Sequence, residues 1–202
     1  MSRIVLASAS PRRKALLAAL GIDFEVLPSH VREIDEGESP VEIVVANARR
    51  KRDDVASRAG GPAVVIAADT LVFLDDRVLS KPRDLEEARA MLRRLSGRTH
   101  QVVTGVAVID TGSGSTAEGS ETSQVKFRAL SDEEIAHFVH AVRPIDRAGA
   151  YTVDGPGSLL VERYEGCFQN VLGLPIVRLD QLLREVGYNL FDLMDGGKSV
   201  FL

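Results

Sequence analysis

The sequence predicts an α/β fold built on a mixed β-sheet, and three observations carry that expectation. Short β-branched and apolar runs alternate with capped helical patterns along the chain. One run, Ala63-Val64-Val65-Ile66-Ala67-Ala68, is almost continuously apolar, which suits a strand buried on both faces in the middle of a sheet. His100 to Ile109 and Thr122 to Leu130, joined by the turn-rich Asp110-Thr111-Gly112-Ser113-Gly114-Ser115, read as a long antiparallel hairpin, so the sheet is not purely parallel. No repeat of solenoid period interrupts this order.

Arg3 to Ala7 reads as the first strand. Ser8-Ala9-Ser10-Pro11-Arg12-Arg13 then turns into a helix, with Ser10 as N-cap, Pro11 at the first helical position, Leu16, Leu17 and Leu20 on one face, and Gly21 past the end. The helix macrodipole favours acids in a first turn, yet this one holds Arg12, Arg13 and Lys14. Cations against that preference point to a negative ligand at the helix start; a solvated basic turn is the other reading. Phe24 to Leu27 reads as a short strand, and Pro28 to Glu38 as a polar, acid-rich surface loop. Ser39-Pro40-Val41-Glu42 has the capping-box pattern and opens a helix to about Arg58, closed by Gly60-Gly61-Pro62. Its Arg49-Arg50-Lys51-Arg52 cluster reads as a solvated side, although the helical pitch also allows Lys51 to face a ligand.

Asp69 and Thr70 interrupt the apolar central strand. A carboxylate there must be paired, hold a metal, or bear a large desolvation cost, unless a neighbouring turn satisfies it. Leu71 to Leu74, a turn at Asp75-Asp76, and Val78 to Pro82 read as a hairpin whose return carries Lys81. Asp84-Leu85-Glu86-Glu87 opens a helix ending at Gly97, and Ser131-Asp132-Glu133-Glu134 opens another through Ile135, Phe138 and Val139. The segments Ile145 to Tyr151 and Val153 to Gly157 are glycine-rich without the order of a phosphate loop, which suits close backbone approach. A strand from Leu159 to Tyr164, a turn at Glu165-Gly166 and a helix from Pro175 to Glu185 follow. Residues 1–187 read as one domain and 188–202 as a tail of unread role.

Bulk properties exclude several function classes. With 202 residues, 45% hydrophobic and 27% charged, the chain is long enough for a sizeable core, and its net charge of −4 gives no basis for nonspecific binding to nucleic acid or anionic membrane. The lone cysteine, Cys167, excludes an intrachain disulfide and a cysteine-based metal cluster and fits a reducing, cytoplasmic setting. No apolar run approaches a membrane span, and Arg12-Arg13-Lys14 breaks anything resembling a signal-peptide core. Residues 1–22 lack acids, as a transit peptide does, but their strand and capping signals argue for folded structure. A serine hydrolase is disfavoured: Ser10 lacks a nucleophile elbow, and none of His30, His100, His137 and His140 sits where an activating base is expected. His137 and His140, three apart on a helix, read as solvated rather than metal-binding.

Six segments stand out in order: Ser8-Ala9-Ser10-Pro11-Arg12-Arg13, Ala67-Ala68-Asp69-Thr70, Ser80-Lys81-Pro82, Leu95-Ser96-Gly97-Arg98-Thr99-His100, Asp146-Arg147-Ala148-Gly149-Ala150-Tyr151, and Asn170-Val171-Leu172-Gly173-Leu174-Pro175. The set resembles the Maf family of nucleoside triphosphate pyrophosphatases from about residue 3 to residue 187. The resemblance implies hydrolysis of a nucleoside triphosphate to monophosphate and pyrophosphate, with a divalent metal, Mg²⁺ or Mn²⁺. It also implies an elongated mixed sheet flanked by helices, two lobes around a central cleft as in inosine triphosphatase-like proteins, and a homodimer. By motif matching, Asp69 corresponds to the catalytic acid, as general base or metal ligand, and Ser8, Arg12, Arg13, Lys51 and Lys81 to phosphate-side groups. Glu33 is a candidate metal or water contact; Glu42 is another, with helix capping the preferred role. Base choice matches the dTTP- and UTP-preferring branch at Arg12 and Thr70 but departs from it at Asp154, where that branch has glutamine. A carboxylate only accepts hydrogen bonds, so a 7-methyl-GTP or other guanine-type substrate is the alternative, and modified nucleotides are further candidates. Two rivals of other classes are a non-hydrolytic nucleotide-binding regulator of cell division and a phosphatase removing the terminal phosphate.

Overall fold

The computed structural model describes residues 3–34, 37, 39–75, 77–195 and 197–198. It contains a seven-stranded mixed sheet in which the strands run β2-β1-β3-β5-β6-β7, with a short β4 also pairing with β3. β1 (Ile4–Leu6) lies parallel to β2 (Glu25–Val26) and to β3 (Val64–Leu74). β4 (Arg77–Leu79), β5 (Thr99–Asp110), β6 (Thr116–Phe127) and β7 (Val161–Glu165) join antiparallel. The expected mixed α/β class and the long hairpin are both present, and the 12 residues of β5 and of β6 make the sheet elongated. Asp76, half of the expected turn before β4, lies outside the described residues, as do Asp35, Glu36 and Glu38 of the acidic loop.

Local sequence accounts for the helices. α1 (Pro11–Ala19) is capped by Ser10, whose side chain accepts from the Arg13 amide, and the chain leaves it through Gly21 at φ 71°. α2 (Pro40–Arg58) starts with Ser39 accepting from the Glu42 amide and buries Ile43, Val44, Asn47, Ala48, Lys51, Arg52 and Val55 on one helical stripe. α3 (Leu85–Leu95) is capped by Asp84, and α4 (Asp132–Val142) carries a reciprocal capping box between Ser131 and Glu134. His137 and His140 are exposed on α4.

Four short elements escape the sequence reading because three to five residues show no periodicity. They are α5 (Phe168–Leu172), capped by the Cys167 sulfur, 3₁₀ turns at Ala148–Ala150 and Gly155–Leu159, and α7 (Leu190–Leu193). α6 (Ile176–Glu185) forms where the sequence predicts a helix from Pro175 to Glu185. Leu159 falls in the 3₁₀ turn, so β7 begins at Val161 rather than at Leu159, and beyond the expected tail boundary Leu190 is buried against the core with its amide donating to Asp180 Oδ1.

The alternation of β3 organises the core. Its odd-numbered residues face α2: Val65 and Ala67 pack with Val55 and Ala59, and Leu71 and Phe73 with Ile43 and Val44. Its even-numbered residues build two clusters on the opposite face. Val64, Ile66 and Ala68 meet Leu17 of α1 and Leu179, Leu182 and Leu183 of α6. Val72 and Leu74 meet Leu92 and Leu95 of α3, Ile135 and Val139 of α4, and Tyr151. Asp69 and Thr70 sit where both faces change from one cluster to the next. They mark a polar waist between two lobes that share one sheet.

Candidate active site

The waist opens into a cleft of about 740 Å³. All but one of the residues named as candidates line it: Ser8, Arg12 and Arg13 from the start of α1, Glu33 from the following loop, Lys51 from α2, Asp69 and Thr70 from β3, Lys81 after β4, and Asp154. Glu42 does not line it; that residue is exposed on the first turn of α2.

Asp69 is 4% exposed and both of its oxygens are engaged. Oδ1 accepts from Lys51 Nζ at 2.7 Å and Oδ2 from Asn47 Nδ2 at 2.8 Å. Asn47 and Lys51 are four residues apart on α2 and therefore project together. Asn47 also ties down the loop, accepting from the Ile34 amide and donating to the Ile34 carbonyl. Lys51 Nζ in turn donates to Glu33 Oε1 at 2.6 Å, so one ammonium is shared by two carboxylates. Burial alone would raise the Glu33 carboxyl, but Lys51, Lys81 and Arg13 outweigh it and hold the group below its ordinary range.

Gly105 makes this approach possible. It pairs with Asp69 across β3 and β5, and a Cβ there would lie 2.3 Å from the Val44 carbonyl oxygen of α2. Without the side chain, α2 packs directly on β5, and Asn47 and Lys51 reach the strand.

Arg13 is a bracket. Its Nε donates to the Gly173 carbonyl at 2.7 Å, NH1 to Ser8 Oγ at 3.2 Å and NH2 to Thr70 Oγ1 at 3.0 Å. Burial lowers the guanidinium's affinity for its proton, and Asp69 and Glu33 counter that. Thr70 Oγ1 also meets Thr104 Oγ1 at 2.9 Å, and Thr104 Oγ1 bonds the Asn170 carbonyl. Gly173, at φ 104°, leaves room for the bracket: a Cβ there would lie 3.3 Å from Thr70 Oγ1. Thus α1, β3, β5 and the α5–α6 turn are joined at the waist through Arg13 and Thr70.

Arg12 differs. Among the described residues its side chain has no hydrogen bond or ion pair with the protein. Burial lowers its affinity for its proton, Arg147 adds to that, and Asp154 and Asp146 oppose it. Asp154 accepts a hydrogen bond from Thr152 Oγ1. Lys81 is exposed at the rim, and its charge reaches Glu33.

Sequence reasoning did not single out Asn47, Thr104 or Gly105, and it held Arg147 only as part of the segment Asp146 to Tyr151. A polar residue four before Lys51 on an otherwise apolar stripe was the available signal for Asn47. The others depend on strand pairing and loop path, which periodicity does not encode. No group of three or more His, Cys, Asp or Glu side chains suited to a metal ion occurs among the described residues. Asp69 and Glu33 are hard oxygen donors converging on one cation, Lys51, and each Asp69 oxygen keeps a lone pair beyond its protein hydrogen bond. That donor set fits Mg²⁺ or Mn²⁺, which bind through one or two carboxylates plus substrate phosphates.

The waist, its cation-rich walls and its buried carboxylate define an α/β protein with a cleft suited to an anionic ligand across a shared sheet. The chain belongs to the Maf family: its residues 3–186 match the family described as Maf-like protein. It is 44% identical over 200 residues, 97% of this chain and 99% of the relative, to a protein named dTTP/UTP pyrophosphatase from Caldicellulosiruptor saccharolyticus. A protein of the same name from Dictyoglomus turgidum is 46% identical over 189 residues, 93% of this chain and 97% of the relative. Among solved structures, the chain aligns with a HAM1 protein from Coxiella burnetii at 19% identity and a TM-score of 0.44, over 63% of this chain and 73% of that one.

Proposed function

We propose that this protein hydrolyses nucleoside triphosphates to the monophosphate and pyrophosphate, with dTTP and UTP as substrates. The observation that carries the reading is the buried Asp69 carboxylate, paired with Lys51 and Asn47, at the floor of a cleft also lined by Arg12, Lys51 and Lys81. The named relatives, near 45% identity over almost the whole chain, supply the substrate class.

Phosphoryl-group hydrolysis requires an oriented water and cations at the oxygens that gain charge. Asp69 is assigned the water: fixed by two donors, it keeps lone pairs to accept the water's proton. Lys51, at hydrogen-bond distance from Asp69, and Lys81 at the rim offset charge on the leaving pyrophosphate. Arg13, with all three nitrogens committed to protein acceptors, shapes the wall and contributes field rather than a free fork. A divalent metal, Mg²⁺ or Mn²⁺, held by Asp69 and Glu33, would lower the pKa of a bound water and neutralise phosphate charge. Asp154, oriented by Thr152, accepts from the ring N3–H of thymine or uracil. The engagement of Thr70 with Arg13 and Thr104 makes it a support for the base-side wall.

The reading extends to a cytoplasmic enzyme acting as a homodimer on free nucleotides. Among the described residues no helix is long and apolar enough to cross a membrane. The test is a panel of canonical and modified triphosphates with Mg²⁺ or Mn²⁺, scored by product. Pyrophosphate in equal amount with monophosphate, fastest from dTTP and UTP, is expected. Orthophosphate would mark a terminal phosphatase, binding without turnover a regulator, and a preference for guanine nucleotides would overturn the pyrimidine assignment.

A further inference from the structure

Arg147 stands at the start of the 3₁₀ turn Ala148–Ala150 and lines the cleft together with Arg12. Its Nε is buried without a hydrogen-bond partner, and the nearest carboxylate oxygen, Asp146 Oδ1, lies 3.6 Å away, beyond hydrogen-bonding range. Arg147 is 26% exposed and within ion-pair range of Asp146, but a buried guanidinium Nε left without a hydrogen bond is costly, and it stands near a second cation, since Arg147 is the largest charge influence on Arg12. Two partly buried cations without protein hydrogen bonds, on segments 135 residues apart in sequence, call for a shared anion. The contrast with Arg13, whose three nitrogens all bond the protein, excludes a purely structural bracket at this position.

Contacts also order the cleft. Glu33 and Asp69 share Lys51, Thr70 next to Asp69 bonds Arg13, and Arg12, the chain neighbour of Arg13, feels the charges of Arg147 and Asp154. The sequence across the cleft therefore runs from Asp154 and Arg147, through Arg12 and Arg13, to Asp69, Glu33, Lys51 and Lys81. If the base lies at Asp154 and the leaving pyrophosphate at the lysines, the arginine pair faces the phosphate nearest the nucleoside.

We infer that Arg147 is a substrate-binding residue that, with Arg12, clasps the nucleoside-proximal phosphate, the one retained in the monophosphate product. The assignment rests on the pyrophosphatase reading above, and its test separates the two. Direct binding of dTMP and of inorganic pyrophosphate to the full-length protein is measured by calorimetry for the wild type, Arg147→Gln and Arg147→Lys. The clasp predicts that Arg147→Gln weakens dTMP at least about tenfold, as expected for a lost charge-assisted hydrogen bond, while pyrophosphate binding changes less than about twofold. Arg147→Lys, which keeps the charge but not the fork, falls between. Retained pyrophosphate binding also reports that the variant is folded. Unchanged dTMP binding, or equal loss of both ligands, overturns the clasp alone. No dTMP binding by the wild type overturns the clasp, whereas no pyrophosphate release from dTTP by the wild type removes the pyrophosphatase reading and the clasp with it.

Discussion

At the residue scale, the cleft gathers groups whose chemistry conflicts with their surroundings. Asp69 breaks an apolar run, and Arg12 and Arg13 oppose a helix dipole. The partners that resolve those conflicts were legible only in part. Lys51 stood among four consecutive cations, where helical pitch allowed it to face a ligand, and the fold turns it inward, shared between Asp69 and Glu33. His100 teaches the same lesson. It had no visible role in the sequence, yet it is 2% exposed, packs edge-on to Phe127 and Tyr151, and meets Tyr151 Oη at 2.7 Å through Nε2. Burial lowers its pKa from 6.5 to about 4. The unfolded chain therefore takes up a proton near pH 6.5 that the folded chain refuses until about pH 4. Stability from this group is complete above pH 6.5 and declines as pH falls, by about 3 kcal/mol on reaching pH 4. Denaturant titrations across that window should show the decline in the wild type and a flatter profile in His100→Gln; equal slopes would show that His100 does not stay neutral in the fold.

At the element scale, helix boundaries followed their caps closely. Ser10, Ser39, Asp84 and Ser131 each open a helix where their side chains accept an amide hydrogen bond. The segments poorest in periodicity, α5, α7 and the 3₁₀ turns, were missed because their conformation is set by what they pack against. The contact between α2 and β5 is the element-scale feature on which the site depends. A methyl group at Gly105 would occupy the space of the Val44 backbone and push α2 outward, taking Asn47 and Lys51 away from Asp69. Gly105→Ala should lower stability by about 1–3 kcal/mol, the usual cost of overpacking, and reduce turnover more than its loss of folded protein explains. Wild-type thermal stability together with wild-type turnover would show that helix contact does not position the site.

At the scale of the whole molecule, the sheet was legible as mixed, while its division into two lobes rested on the family resemblance. Periodicity identifies which residues are buried but not which cluster each joins. In the fold, Ala68 and Val72 belong to different cores on one face of β3, and Thr70 stands between them. On the other face Asp69 holds the corresponding place between Ala67 and Leu71. The waist is therefore where apolar packing must stop, and the polar groups that fill it are those available to a ligand. Arg13 fastens both lobes there, and the cations around it suit a polyphosphate that bridges them. We propose that the Asp69 carboxylate carries the reaction at this waist. Its most direct test is the rate of pyrophosphate release from dTTP by Asp69→Asn beside the wild type, with folding checked by circular dichroism. The asparagine variant should stay folded and lose turnover by at least about a hundredfold, at the level general-base removal produces; a folded variant with wild-type turnover would show that Asp69 does not carry the reaction.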